Sequence, residues 1–190
     1  MTAPITNTSS IGKHGKTRVA TVWMDGCSGC HMSFLDMDER LLALSNDIEI
    51  VYSPLVDQKE FPPDVDVTLV EGSISTIEDL EKIQRFRGRT KLLVSLGDCA
   101  VTANVPSMRN PFDLECVMRR GYEENADVNA HAPTENIPQL LSKARPLHEV
   151  VKVDVFIPGC PPSADVIHFV LSELLAGRTP ELSGQTRFGA

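Results

Sequence analysis

Arg18-Val-Ala-Thr-Val-Trp-Met24 runs directly into Asp25-Gly-Cys-Ser-Gly-Cys-His31, and the join between the two decides the fold. The first half is apolar and rich in β-branched residues, the pattern of a buried strand. The second half is a glycine-punctuated loop that holds two cysteines. Beyond it the periodicity changes. From Met32 to Ser45 the apolar residues Phe34, Leu35, Leu41, Leu42 and Leu44 gather largely on one side, with Asp36, Asp38, Glu39 and Arg40 filling the rest. That spacing predicts one helix over the whole segment.

The alternation continues downstream. Asp47–Tyr52 reads as a second strand, closed by Ser53-Pro54, and Pro62-Pro63 precedes a third strand over Val65–Val70. Thr76-Ile-Glu-Asp79 has the capping-box pattern, a hydroxyl followed three residues later by a carboxylate. Ile77, Leu80 and Ile83 extend it as a helical stripe that Gly88 is placed to stop. Lys91–Leu96 is a fourth strand, followed by an irregular region from Gly97 to about Pro111 and a short helix over Phe112–Arg119. Residues 121–146 are polar and rich in Asn and Pro, and read as a long functional or partner-bound loop. Val153–Ile157 is a fifth strand. Ser163 can cap a last helix carrying Val166, Ile167, Val170, Leu171, Leu174 and Leu175, which Gly177 ends.

Strands alternating with helices imply an α/β fold: a flavodoxin-like three-layer sandwich with a mainly parallel sheet and a long irregular insert. One domain is expected over residues 17–178, with a flexible arm over 1–16 and a tail over 179–190. In such folds ligands collect outside the carboxyl ends of the strands. Cys27 and Cys30 follow strand one, Glu71 strand three, Cys99 strand four and Cys160 strand five, so the unusual residues are expected on one rim.

The 190-residue chain carries a formal charge of −8, which argues against nucleic acid and against anionic lipid as partners. No apolar run approaches the ~20 residues of a membrane span. Nothing near Met1 has the pattern of an export signal, so a cytoplasmic location is expected. There, five cysteines are more readily metal ligands, catalytic thiols or core residues than a disulfide framework.

Cys27 and Cys30 alone fit a thioredoxin-type pair, two core residues or half of a metal site. Cys99 and Cys160 bring the count to four, which suits zinc or an iron–sulfur cluster better than a dithiol switch. Structural zinc sites draw on two close pairs, whereas here one pair is joined by two singletons. The proline after Cys160 matches the ending of iron–sulfur ligand runs, and iron–sulfur is favoured over zinc. Cys116 reads as core packing. His31 is either a helix-surface residue or a hydrogen-bond donor or proton relay beside a cluster. Glu71 could pass protons or bind loop amides, with a helix-start or loop-stabilising role as the plainer reading, and Asp98 carries the same ambiguity. Gly26, Gly29, Gly72, Gly97 and Gly159 suit tight turns beside a bulky group. No phosphate-binding glycine motif occurs, so a flavin such as FMN would rest on fold similarity alone.

Taken together, Cys27-Ser-Gly-Cys30, Val70-Glu-Gly-Ser-Ile74, Gly97-Asp-Cys-Ala100 with Val105-Pro-Ser-Met-Arg-Asn110, and Ile157-Pro-Gly-Cys-Pro-Pro162 resemble the small subunits of [NiFe]-hydrogenases. Through them the chain is similar to the cluster-bearing subunit of respiratory complex I. The detail looks most like the short small subunit of cytoplasmic NAD-reducing (bidirectional) hydrogenases. That resemblance implies one [4Fe-4S] cluster on Cys27, Cys30, Cys99 and Cys160. It also implies a separate large subunit holding the nickel–iron site, NADH-oxidising diaphorase partners, and a role for Glu71 in proton passage or cluster environment. Respiratory hydrogenase small subunits carry further cysteine/histidine motifs that are missing after Cys160. Complex I subunits of this type have adjacent cysteines where this chain has C-x-x-C, which disfavours quinone reduction. A zinc-stabilised assembly protein is the alternative from a different class.

Overall fold

The computed structural model describes residues 15–186. In chain order its elements are β1 (Thr17–Trp23), α1 (Gly29–Leu35), α2 (Glu39–Leu44), β2 (Ile48–Tyr52), β3 (Val65–Glu71), β4 (Ile74–Thr76) and α3 (Ile77–Arg87). They continue with β5 (Thr90–Leu96), α4 (Asp98–Thr102), α5 (Leu114–Arg119), β6 (Leu140–Arg145), β7 (Val155–Ile157) and α6 (Ala164–Leu175). Short 3₁₀ turns lie at Pro106–Arg109 and Leu147–Glu149. The arm expected over 1–16 falls outside the described residues except for Gly15 and Lys16, as do residues 187–190 of the tail.

Five strands form one parallel sheet in the order β2-β1-β3-β5-β7. The order reverses between β1 and β3, which makes the crevice above those two strands the switch point of the sheet. Two apolar layers enclose it. On one face Val19, Val67, Leu69, Leu92, Val94 and Leu96 meet Phe34, Met37 and the α6 residues Ile167, Val170, Leu171 and Leu174. On the other, Ala20, Val22, Val70 and Leu93 meet Ile83, Phe86, Ala100 and Leu147. The change of face at each successive strand position follows from the two-residue period of the pleat. Each large side chain sealed this way contributes about 1.5–3 kcal/mol of burial.

The central strand β3 is buried at all seven positions, polar ones included. Burial on both faces is tolerable there because each polar group is paired. The Asp66 carboxylate accepts the Arg18 N–H at 2.8 Å and the Lys91 ammonium at 2.7 Å, while Thr68 and Thr90 share a hydrogen bond of 2.8 Å. Helix ends behave as expected from their caps. The capping box forms at Thr76 and Asp79, and the Ser163 hydroxyl accepts the Val166 N–H at 3.4 Å.

Three expectations need correcting. The single helix over Met32–Ser45 is two helices, α1 and α2, broken at residues 36–38 where Asp38 takes φ 49°. Met37, inside the break, still packs in the core with Phe34 and Leu44. The loop over 121–146 is not structureless to its end, since β6 pairs antiparallel with β4 to make a two-stranded sheet. Cys116 is exposed, because α5 buries none of its side chains.

Candidate metal centre

The strand ends line up. Trp23 of β1 is in register with Glu71 of β3, Glu71 with Leu96 of β5, and Leu96 with Ile157 of β7. The loops that follow therefore leave the sheet at one level. Pairing even continues past the strands: Gly97 N–H donates to the Ile157 carbonyl at 2.8 Å, and Asp25 and Ser73 exchange backbone bonds at 3.1 and 2.8 Å. Cys27 comes from the loop after β1 and Cys30 from the first turn of α1, Cys99 from the first turn of α4, and Cys160 from the loop before α6. Cys27 and Cys160 are exposed, Cys99 is half-buried and Cys30 is buried.

Two devices hold these loops together. Asp98 is buried and binds Gly159 twice: its N–H donates to the Gly159 carbonyl at 2.8 Å, and its carboxylate accepts the Gly159 N–H at 2.7 Å. The residue before Cys99 is thus tied to the residue before Cys160. Gly97 supplies the second device. It sits at φ 83°, and a Cβ there would collide with Cys30 Sγ and come within 3.4 Å of the Gly159 carbonyl. Only a residue without a side chain lets the β5 loop pass so close to that sulfur.

The thiols act on one another. The Cys30 thiol is pushed far above its ordinary value, first by burial, then by the charge of Glu71 and those of Cys99, Cys27 and Cys160. Cys99 is raised too, mainly by burial, with Cys160 and Cys27 adding to the effect and a backbone hydrogen bond from Val105 opposing it. Four thiolates gathered without a cation would repel, and a positively charged metal group relieves that cost. Among the described residues, no three His, Cys, Asp or Glu side chains close to the spacing that holds a single ion. The donor set of four soft thiolates on a wide rim fits a polynuclear iron–sulfur group. Asn104 adds a polar neighbour, its Nδ2 donating to Cys160 Sγ at 3.7 Å.

Behind the cysteines lies Glu71, which is buried and whose Oε2 accepts the His31 backbone N–H at 3.0 Å. His31 is also buried, so the surface reading of this histidine does not hold. Its ring does not meet a sulfur. Nδ1 faces Glu71 Oε2 at 2.5 Å and Nε2 lies 3.0 Å from Thr21 Oγ1. Thr21, Ser53 and Asn104 escaped sequence reasoning. The only signal was a hydroxyl inside the apolar first strand and another just past the end of the second.

Residues 27–174 match the family model described as NADH ubiquinone oxidoreductase, 20 Kd subunit. The chain belongs to this family. Among curated relatives, it is 41% identical over 184 residues to the NAD-reducing hydrogenase HoxS subunit delta of Cupriavidus necator, covering 94% of this chain and 88% of the relative. It is 35% identical over 172 residues to a subunit of the F420-non-reducing hydrogenase of Methanothermobacter marburgensis, spanning 88% of this chain but only 56% of that relative. Among solved structures, a chain of an NAD⁺-reducing [NiFe]-hydrogenase in the H₂-reduced state superposes with a TM-score of 0.86 at 37% identity, covering 91% of this chain and 99% of the other. The [NiFeSe] hydrogenase of Desulfomicrobium baculatum, at 19% identity and a TM-score of 0.57, shares the fold. This family member is thus similar to hydrogenase small subunits along nearly all its length, and the flavodoxin-like α/β reading holds. Among the described residues no helix is long and apolar enough to cross a membrane.

Proposed function

We propose that this chain is the electron-transfer small subunit of an NAD-linked [NiFe]-hydrogenase, with one [4Fe-4S] cluster bound through Cys27, Cys30, Cys99 and Cys160. The observation that carries the reading is the convergence of these four cysteines from three segments on one in-register rim. A cluster of this kind supplies reversible one-electron storage. The chain's own residues hold it: Asp98 clamps the two singleton loops, and Gly97 leaves room beside Cys30. Cys116, the remaining cysteine, lies on exposed α5, so the chain offers ligands for a single four-thiolate cluster.

Hydrogen splitting belongs to a separate large subunit in this reading. Each H₂ yields two protons and two electrons there, and NAD⁺ takes up two electrons and one proton at a diaphorase module. Trp23, Met32, Val105, Met108 and Phe112 are exposed on segments that follow or flank the rim loops, and a large subunit docked over the rim would cover them.

The test is metal and sulfide content of the copurified complex together with a Cys99→Ala variant. Four iron and four sulfide per chain are expected in the parent, and the variant should lose the complete cluster and all hydrogen-dependent NAD reduction. Stoichiometric zinc without sulfide, or FMN as the only chromophore, would overturn the reading. So would a Cys99→Ala variant that keeps full activity.

A further inference from the structure

The turn after α4 meets the cysteine rim twice, although it supplies no thiolate. Ala103, which ends this helix, sits at φ 61° and ψ 1°, in the left-handed region. That conformation costs a residue with a Cβ about 1–2 kcal/mol, and alanine lacks the polar side chain with which asparagine or aspartate offsets it. Burial of Ala103 compensates part of the strain. The reversal carries the chain back toward the start of α4. Three hydrogen bonds then pin the turn. Ser107 N–H donates to the Ala103 carbonyl at 2.9 Å, the Ser107 hydroxyl to the Asn104 carbonyl at 2.8 Å, and Met108 N–H to the Val105 carbonyl at 3.0 Å.

The two residues held this way face different cysteines. The Val105 backbone N–H donates to Cys99, and Asn104 Nδ2 donates to Cys160 Sγ at 3.7 Å. The orientation of the amide follows from its chemistry. Its oxygen would set an acceptor against a sulfur that carries lone pairs and, as a ligand, negative charge, so the NH₂ group must face Cys160. A backbone donor to Cys99 needs no particular side chain at 105. The donor to Cys160 depends on which side chain stands at 104.

We propose that Asn104 is a positioning residue whose side-chain N–H, held on Cys160 Sγ by the Ala103 turn, raises the potential of the cluster. This rests on the reading of the rim as an iron–sulfur site. Reduction adds negative charge that the ligand sulfurs share, and an N–H dipole aimed at one of them stabilises the more negative state. The amide donates without titrating, so no proton is transferred.

The experiment is a redox titration of the purified complex, with the reduced cluster followed by its electron paramagnetic resonance signal. Asn104→Leu keeps the branched shape of the side chain and removes the donor. It is expected to lower the reduced-to-oxidised ratio at a fixed ambient potential by about threefold, a fall of about 28 mV at about 59 mV per tenfold for a one-electron couple. A second readout separates donation from mere support of the turn. In a parent complex whose asparagine carries nitrogen-15 in the side-chain amide, electron spin echo modulation should show a nitrogen-15 coupling to the reduced cluster. Asn104→Leu, labelled in the same way, should lack it. The proposal is overturned if Asn104→Leu titrates with the parent, if its potential rises, or if the labelled parent shows no coupling. Should Asn104→Leu fail to load, the labelled parent still decides. A parent complex without iron and sulfide would instead refute the proposed function.

Discussion

Gly97 shows how much one residue can decide at this rim. Its φ of 83° and the blocked space toward Cys30 Sγ make any side chain there strained twice over, by backbone conformation and by contact. Gly97→Ala is expected to destabilise the fold by about 1–3 kcal/mol, the range for a non-glycine residue forced into a sparsely populated conformation. The larger effect should fall on the cluster, because the loops on either side of Cys30 and Cys99 must move apart. Iron content and thermal melting of the variant check both parts, and unchanged iron would show that the rim tolerates the displacement. Asp98 works in the opposite sense. It adds polar bonds where Gly97 withholds atoms, tying the approaches to Cys99 and Cys160 into one unit. Gly97, two positions before Cys99, packs in space against Cys30, and Asp98, just before Cys99, binds the residue before Cys160.

Among the elements, β6 is the one that the sequence least announces. Leu140–Arg145 has no strong alternation, and its partner β4 is three residues long. It is held instead by the turn after α4. The Arg109 guanidinium donates to the carbonyls of Leu141 at 2.8 Å and Ser142 at 3.1 Å, and the Asn110 side chain both accepts from and donates to the Ala144 backbone at 2.8 Å. This explains why Val105-Pro-Ser-Met-Arg-Asn110 reads as a motif although it holds no ligand: it fastens the insert. Arg109→Ala removes three charge-assisted bonds, to the carbonyls of Leu141 and Ser142 and, at 3.5 Å, of Ser75 in β4, together worth about 1–3 kcal/mol of local stability. Amide exchange over residues 140–145 should accelerate and proteolysis within 121–139 should rise, while cluster iron is retained. Loss of iron in this variant would show that the insert supports the metal centre directly.

At the scale of the molecule, the proposed partner would dock over the cysteine rim, where exposed apolar side chains flank the loops. Trp23 and Phe112 are 52% and 63% exposed, area that a partner docked on the rim would cover. Hydrogen exchange on the assembled complex against the separated chain is expected to show new protection over residues 27–32 and 105–112. The opposite edge, where residues 44–47 face residues 172–176 of α6 and the turn after it, should exchange equally in both states. Protection confined to that opposite edge would place the partner on the wrong side of the sheet for the proposed electron route.

The layers of the fold and the four cysteines of its rim are legible along the chain. Apolar runs with a period of two, helical stripes and turn residues are local signals, and each of β1, β2, β3, β5 and α6 could be read where it stands. The C-x-x-C pair, Glu71 and the two singleton cysteines were legible because each follows such a run. Everything that depends on register came only with the folded sheet. The alignment of Trp23, Glu71, Leu96 and Ile157 brings separate loops to one level. The same alignment buries His31 against Glu71 and threads the hydroxyls of Thr21 and Ser53 behind them. Long-range hydrogen bonds of this kind leave no periodic trace, since their partners lie 10 to 40 positions apart in the chain. Packing selects them, and packing exists only once the sheet has formed.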